Sequence, residues 1–176
     1  MSLGDVARPD LPKPNCRVKL ICGPPASGKS TYVNRHAKPG DIIIDLDLIA
    51  RERGYGRHRP PSIVGELLQE RNKRLAALAN EPPDTAAWVI LGAPSPSLRQ
   101  WWRDALNAEE MIVLNPPREE LYRRIRNDPE RKYVRELHFA LVNKWQARER
   151  EDNPGISKSG TGTDGYPTDP LHPWNR

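Results

Sequence analysis

An α/β fold built on a parallel sheet is the class this sequence predicts, and three observations predict it. Four short apolar runs, each continuous rather than alternating, are separated by stretches with helical periodicity, the pattern of strands that helices cover on both faces. A length of 176 residues suits one compact domain and is short for two. Hydrophobic residues make up 36 % and charged residues 29 % of the chain, which supports a modest core under a strongly polar surface.

The elements follow in order. Residues 1–15 are polar and Pro-rich, and residues 152–176 are rich in Gly, Ser, Thr and Pro. A flexible arm over 1–15 and a flexible tail over 151–176 are therefore expected around a domain spanning 16–150. RVKLIC at 17–22 is the first strand and leads through a glycine-containing loop into a helix over 28–37. DIIID at 41–45 is the second strand, followed by a short helix over 47–53. The loop at 58–62 and the turn at 80–84 punctuate a helix over 63–80, whose Leu67, Leu68, Leu75 and Leu78 form one stripe. AWVIL at 87–91 is the third strand and the next helix covers 96–107, where adjacent Trp101 and Trp102 point about 100° apart, so at most one faces the core fully. MIVLN at 111–115 is the fourth strand, followed by helices over 118–127 and 131–150. Asn127-Asp128-Pro129 breaks the chain between those two helices, as a mobile lid requires. The right-handed crossover rule and a central first strand give a strand order of 2-3-1-4.

Charge and cysteine usage narrow the function classes. The formal net charge is +5, and residues 118–150 hold ten Lys or Arg against six Asp or Glu, so an anionic ligand is expected there. Helix-spaced Glu119, Glu120, Glu130 and Glu136 are available as ion partners on a solvated surface. No apolar run approaches the roughly 20 residues that span a bilayer, and the N-terminus lacks the apolar stretch of a secretory signal. No membrane partner is expected. Cys16 and Cys22 lie roughly 20 Å apart along an extended strand, too far to pair locally. A reducing, cytoplasmic setting is expected. His36, His58, His138 and His172 have no metal-ligand spacing and receive no site. Arg71, Asn72 and Arg74 are read as a solvated helix face.

Gly23-Pro24-Pro25-Ala26-Ser27-Gly28-Lys29-Ser30 matches GxxxxGK[ST], directly after a strand and before a helix. Backbone N–H groups from about Ala26 to Thr31 are placed to converge on phosphate oxygens, with the helix N-terminus adding its positive end. Gly28 permits close approach of the backbone. Lys29 is placed to bridge the β- and γ-phosphates of a nucleotide, the Ser30 hydroxyl to take one Mg²⁺ position, and Thr31 to meet the α-phosphate. Pro24 and Pro25 lack N–H groups but fall where donors are needed least.

The second strand runs into Asp45-Leu46-Asp47, with Arg51 one helical turn later. Carboxylates at this edge of a parallel sheet lie in the ligand crevice. Strand alternation points Asp45 and Asp47 the same way, one toward Mg²⁺ through water and the other as proton acceptor for an attacking hydroxyl. A competing reading has Asp47 simply capping a helix that begins at Leu48.

This order of motifs, GPPASGKS, IIIDLDLIAR, VIL and IVLNPPREELYRRI, resembles the small P-loop kinases of the polynucleotide-kinase and zeta-toxin type, including short phage-encoded ATP-binding proteins. The resemblance spans roughly residues 17–150. It implies a three-layer P-loop NTPase sandwich with a short helical lid, and ATP and Mg²⁺ as cofactors. Asp47 matches the general base. Arg51, and Arg99 on the helix after the third strand, match acceptor-binding arginines. Arg124, Arg126 and Arg131 match lid arginines that reach over the ATP phosphates. Transfer of the γ-phosphate to a nucleic-acid end, a nucleotide or a small acceptor is the activity so implied. The chain departs from the pattern at Val89-Ile90-Leu91-Gly92, where the third strand usually ends in a carboxylate. That departure keeps open a P-loop ATPase or a nucleotide-dependent partner or nucleic-acid-binding protein.

Overall fold

The computed structural model describes residues 8–151; of the expected tail over 151–176 only Glu151 is described, and it closes the last helix, while the rest of the tail and the first seven residues of the expected arm lie outside the described residues. A four-stranded, wholly parallel sheet runs in the order β2-β3-β1-β4. β1 is Arg17–Cys22, β2 Ile42–Asp45, β3 Ala86–Leu91 and β4 Glu110–Val113. Helices α1 (Lys29–His36), α2 (Leu46–Glu52), α3 (Val64–Ala77), α4 (Pro96–Ala105), α5 (Arg118–Asn127) and α6 (Arg135–Glu151) connect and follow the strands. The expected three-layer α/β architecture and strand order are both present. Among the described residues no helix is long and apolar enough to cross a membrane.

Every residue of β3 is buried, which explains its unbroken apolar sequence. The main core gathers Val18, Leu20, Val89, Leu106, Trp102 and Trp145 on one side of the sheet, while Ile21, Val33, Trp88 and Ile90 form the core of the other. Alternation along β1 thus feeds both layers.

Several boundaries differ from expectation for local reasons. Asp41 stays outside β2 because its backbone N–H closes a turn on the Lys38 carbonyl at 3.0 Å, a turn its carboxylate braces by accepting the Lys38 N–H at 2.9 Å. β4 ends at Val113, and Pro116 and Pro117 have no N–H to prolong the ladder. The stretch read as one helix over 63–80 is α3 between two 3₁₀ turns, Pro61–Ile63 and Leu78–Asn80. The helix expected from 131 begins at Arg135, because Pro129–Arg131 forms a separate 3₁₀ turn capped by Asp128. The packed region also begins before residue 16. Leu11 rests on the main core, and Asn15 donates from its backbone N–H to the Leu78 carbonyl at 3.0 Å.

Pairing Cys22 with Leu91 and Val113, and Asp45 with Ile90, places four strand ends side by side. The segments after Cys22, Asp45, Leu91 and Val113 therefore emerge together at one edge, where parallel sheets bind ligands.

Arg99 secures the turn after β3. Its side chain is 5 % exposed, donates through Nη1 to the carbonyls of Ala93 and Pro94, each at 3.1 Å, and pairs through Nη2 with Glu149 at 2.6 Å. The guanidinium also lies 4.8 Å from the Trp145 ring centre. Arg99→Ala strands Glu149 and two carbonyls, so it is expected to destabilise the fold by about 3 kcal/mol and lower the Tm by roughly 6–12 °C. A thermal melt checks this, and an unchanged Tm would contradict it.

Candidate functional site

The loop after β1 is shaped by steric demands that its sequence meets. A Cβ on Gly23 would lie 2.5 Å from both the Leu114 carbonyl oxygen and Ser27 Oγ, so only glycine fits. Gly28 has φ of 99° and Ala26 has φ of 62°, a left-handed conformation that glycine adopts freely and alanine at a cost. α1 then starts at Lys29 with no side-chain cap and no acidic residue in its first turn, so its first N–H groups and positive end face the loop. Lys29 folds back across it and donates from Nζ to the carbonyls of Gly23 and Pro24, each at 2.8 Å. Pro24 has no N–H, yet its carbonyl anchors the loop.

Burial pushes the Lys29 ammonium down to about 8, against the opposing pull of Asp45 and Asp47. Above pH 8 the side chain is then mostly neutral, and drawing phosphate to it requires uptake of a proton. If the loop holds a nucleotide, the affinity is accordingly expected to fall by up to about tenfold per pH unit above 8. Calorimetry in buffers of different ionisation heat reads both affinity and proton uptake; constant affinity up to about pH 9.5 would refute the coupling.

Two carboxylates flank this loop in different roles. Asp45 ends β2 and caps α2, its Oδ1 accepting the Asp47 N–H at 3.0 Å while Oδ2 accepts the Ser30 hydroxyl at 3.3 Å. The capping residue is therefore Asp45, and the alternative in which Asp47 caps a helix from Leu48 is corrected. Asp47 lies in the first turn of α2 rather than on the strand, so its direction comes from the helix and not from strand alternation. Its carboxylate takes Arg57 Nη1 on Oδ2 at 2.8 Å and Arg59 Nη1 on Oδ1 at 2.9 Å. Burial, then the charge of Asp47, raises the Asp45 carboxyl above the usual range. Burial also pushes Asp47 upward, but Arg59 and Arg57 outweigh it and hold the group below that range.

Only part of the arginine set expected on a lid lies in the cleft. Arg124 reaches over the loop, donating from Nη1 to the Ala26 carbonyl at 3.1 Å and from Nε to Glu120 at 2.7 Å. Arg131 is buried, with Nε on Asp128 at 2.8 Å and Nη1 against His138 Nδ1 at 2.8 Å. Burial, then Arg131 and Arg57, drive His138 down to about 3, so the ring is neutral and accepts the Arg131 N–H. Arg126 instead packs on the rings of Tyr122 and Phe139, at 5.8 and 5.6 Å, and does not line the cleft. Arg51 is about half exposed and pairs with Glu130 at 3.0 Å. Neither Arg51 nor the buried Arg99 lines the cleft, so the structure does not bring the two expected acceptor arginines to the site.

Other residues occupy that side. Arg57 and Arg59 project from the segment between α2 and α3. Arg71, expected on a solvated face, is buried with its guanidinium 5.1 Å from the Trp102 ring centre. The cleft these groups share has a volume of about 1430 Å³ and includes Lys29, Ser30, Asp45, Asp47, Gly92 and Arg131 among its walls. Single-ligand pockets run to about 300–1,000 Å³, so this one has room for a nucleotide and a second molecule. A Cβ at Gly92 would meet nothing within 4 Å, so packing does not exclude a side chain where the carboxylate is missing. Among the described residues no group of three or more His, Cys, Asp or Glu is placed to hold a metal ion. The adjacent Ser30 hydroxyl and Asp45 carboxylate are the hard oxygen donors that suit Mg²⁺, and the steric cradle at Gly23 with the α1 N-terminus suits phosphate.

Comparison with known proteins gives three findings. A family model described as an AAA domain matches residues 18–151. A search of curated proteins finds no match. Among solved structures 33 chains match, including a shikimate kinase from Acinetobacter baumannii in complex with shikimate. That chain is 20 % identical, with 84 % of this chain and 86 % of that one covered and a TM-score of 0.46.

Proposed function

The chain belongs to the AAA domain family, and on that premise we propose that it is an ATP- and Mg²⁺-dependent phosphotransferase acting on a hydroxyl-bearing acceptor. The observation that carries this reading is the convergence of Lys29, the Ser30–Asp45 pair, Asp47 and Arg131 on one cleft. When bound, ATP supplies the phosphoryl group and Mg²⁺ offsets its charge. Lys29 and the first-turn N–H groups of α1 would hold the phosphates, and Ser30 with Asp45 would hold the cation. Asp47 accepts the proton of the acceptor hydroxyl. Arg131, fixed by Asp128 and His138, stabilises charge on the group in transit, and Arg124 covers the loop. Arg57 and Arg59 take the acceptor-orienting role first expected of Arg51 and Arg99.

A second reading, an ATPase that passes nucleotide state to a partner, is favoured by Gly92 in place of a carboxylate. Incubation with γ-labelled ATP separates the two. The acceptor panel comprises 5′-OH oligonucleotides, nucleosides, nucleoside monophosphates and small hydroxy acids, with phosphate release measured alongside. Label in an acceptor supports transfer; steady release without a labelled acceptor supports the ATPase.

Ser30→Ala and Asp45→Asn are expected to raise the Mg²⁺ concentration needed for half-maximal turnover by about tenfold while sparing metal-free nucleotide binding. A Mg²⁺ titration checks this, and an unchanged requirement in both variants would remove them from the cation site.

A further inference from the structure

We infer that Glu130 is a positioning residue: by pairing with Arg51 and Arg57 it docks the lid turn onto the acceptor-side segment, and so carries the neighbouring Arg131 into the cleft. This rests on the proposed roles of Arg131 and Asp47. Glu130 Oε2 lies 3.0 Å from Arg51 Nη2 and 3.5 Å from Arg57 Nε. The other end of the same Arg57 guanidinium holds Asp47 at 2.8 Å. One unbroken ion chain, Arg51–Glu130–Arg57–Asp47, thus joins the lid to the group assigned as proton acceptor. A second contact runs beside it, with the rings of His58 and Tyr133 5.7 Å apart.

The turn converts this docking into a position for Arg131. Asp128 accepts the Glu130 N–H on Oδ1 at 3.0 Å and the Arg131 Nε–H on Oδ2 at 2.8 Å, so Glu130 and Arg131 are braced by one carboxylate inside a 3₁₀ turn. Anchoring Glu130 therefore fixes where Arg131 stands. The Arg51 contact is the shorter, a hydrogen bond at 3.0 Å, and is the main anchor, while Arg57 Nε stands at 3.5 Å and makes no hydrogen bond. Exposures of 53 % for Arg51 and 62 % for Glu130 keep the dock weak enough for salt to loosen it. The linkage gives Arg51 a part in the lid instead of the acceptor site. It also means that the lid cannot lift without disturbing the arginine on Asp47.

The test follows release of a fluorescent N-methylanthraniloyl-ADP with Mg²⁺ from the full chain, chased with excess unlabelled ADP. Glu130→Gln is expected to release the probe about three- to tenfold faster, and Glu130→Arg faster still through like-charge repulsion. The double variant Glu130→Arg with Arg51→Glu is expected to return toward the wild-type rate. Raising KCl from about 50 to about 500 mM should speed the wild type toward the Glu130→Gln rate and move that variant much less. Release at the wild-type rate from Glu130→Gln and Glu130→Arg, or no recovery in the double variant, overturns the inference. Lys29→Ala is measured alongside: unchanged probe affinity there defeats the nucleotide-site reading, and this inference with it. Weakened binding in Lys29→Ala together with unaffected Glu130 variants defeats the clamp alone.

Discussion

Lys29→Ala is expected to cut turnover by at least about 10²–10³, the range for removing one preorganised charge donor at a reacting centre, and to weaken ATP binding. The Lys29 Nζ bonds to the Gly23 and Pro24 carbonyls place its charge at the mouth of the phosphate loop rather than in the core. Because burial already depresses the Lys29 ammonium, its removal relieves a desolvation cost that offsets the loss of a donor to those two carbonyls, and the fold should survive with a Tm within a few degrees of wild type. Binding calorimetry, phosphate release and a thermal melt on the same preparation separate loss of the site from loss of the fold. Wild-type affinity and turnover in this variant would contradict the assignment of the loop.

The parts legible in the sequence are those set by local pattern. A strand, a glycine-containing loop and a helix expected from 28, which starts at Lys29, follow from contiguous residues, as does the break at Asn127-Asp128-Pro129 that separates α5 from α6. Ser30 and Asp45 were legible for a second reason: strand order places the ends of β1 and β2 at one sheet edge, and they meet at 3.3 Å. What local pattern could not supply is which of many arginines turns inward. Arg51 has suitable spacing from Asp47, yet Glu130, 79 residues away in sequence, draws it to the lid. Arg57 and Arg59 stand in a loop without periodicity, and only the path of that loop back over α2 brings them onto Asp47. His138 has no metal-type spacing, and its place beside Arg131 depends on how α6 returns over the 3₁₀ turn. The basic stretch 57–59, ten to twelve residues beyond Asp47 and closed off by Pro60 and Pro61, is the one sequence signal that pointed toward such a fold-back.

Asp47→Asn has the other large expected effect and bears directly on the chemistry. Asparagine keeps the size of the side chain and one oxygen acceptor but cannot take a proton, so transfer is expected to fall by about 10²–10⁴ while ATP affinity changes little. The structure adds a second consequence. Arg57 and Arg59 both lean on this carboxylate, and Arg131 stands in the same cleft; without the anion three guanidinium groups share a site with less countercharge. Because the Asp47 carboxyl is held below its ordinary value, it contributes stability above the unfolded pKa of about 3.9, lost as pH falls through the folded value. The Tm deficit of Asp47→Asn relative to wild type should therefore be present at neutral pH and shrink in strong acid. A group that served only to pair the two arginines would show the Tm deficit without the loss of transfer. Transfer at the wild-type rate in Asp47→Asn would remove it as the proton acceptor. Steady ATP hydrolysis with no acceptor phosphorylated by the wild type would replace the kinase reading with the ATPase one.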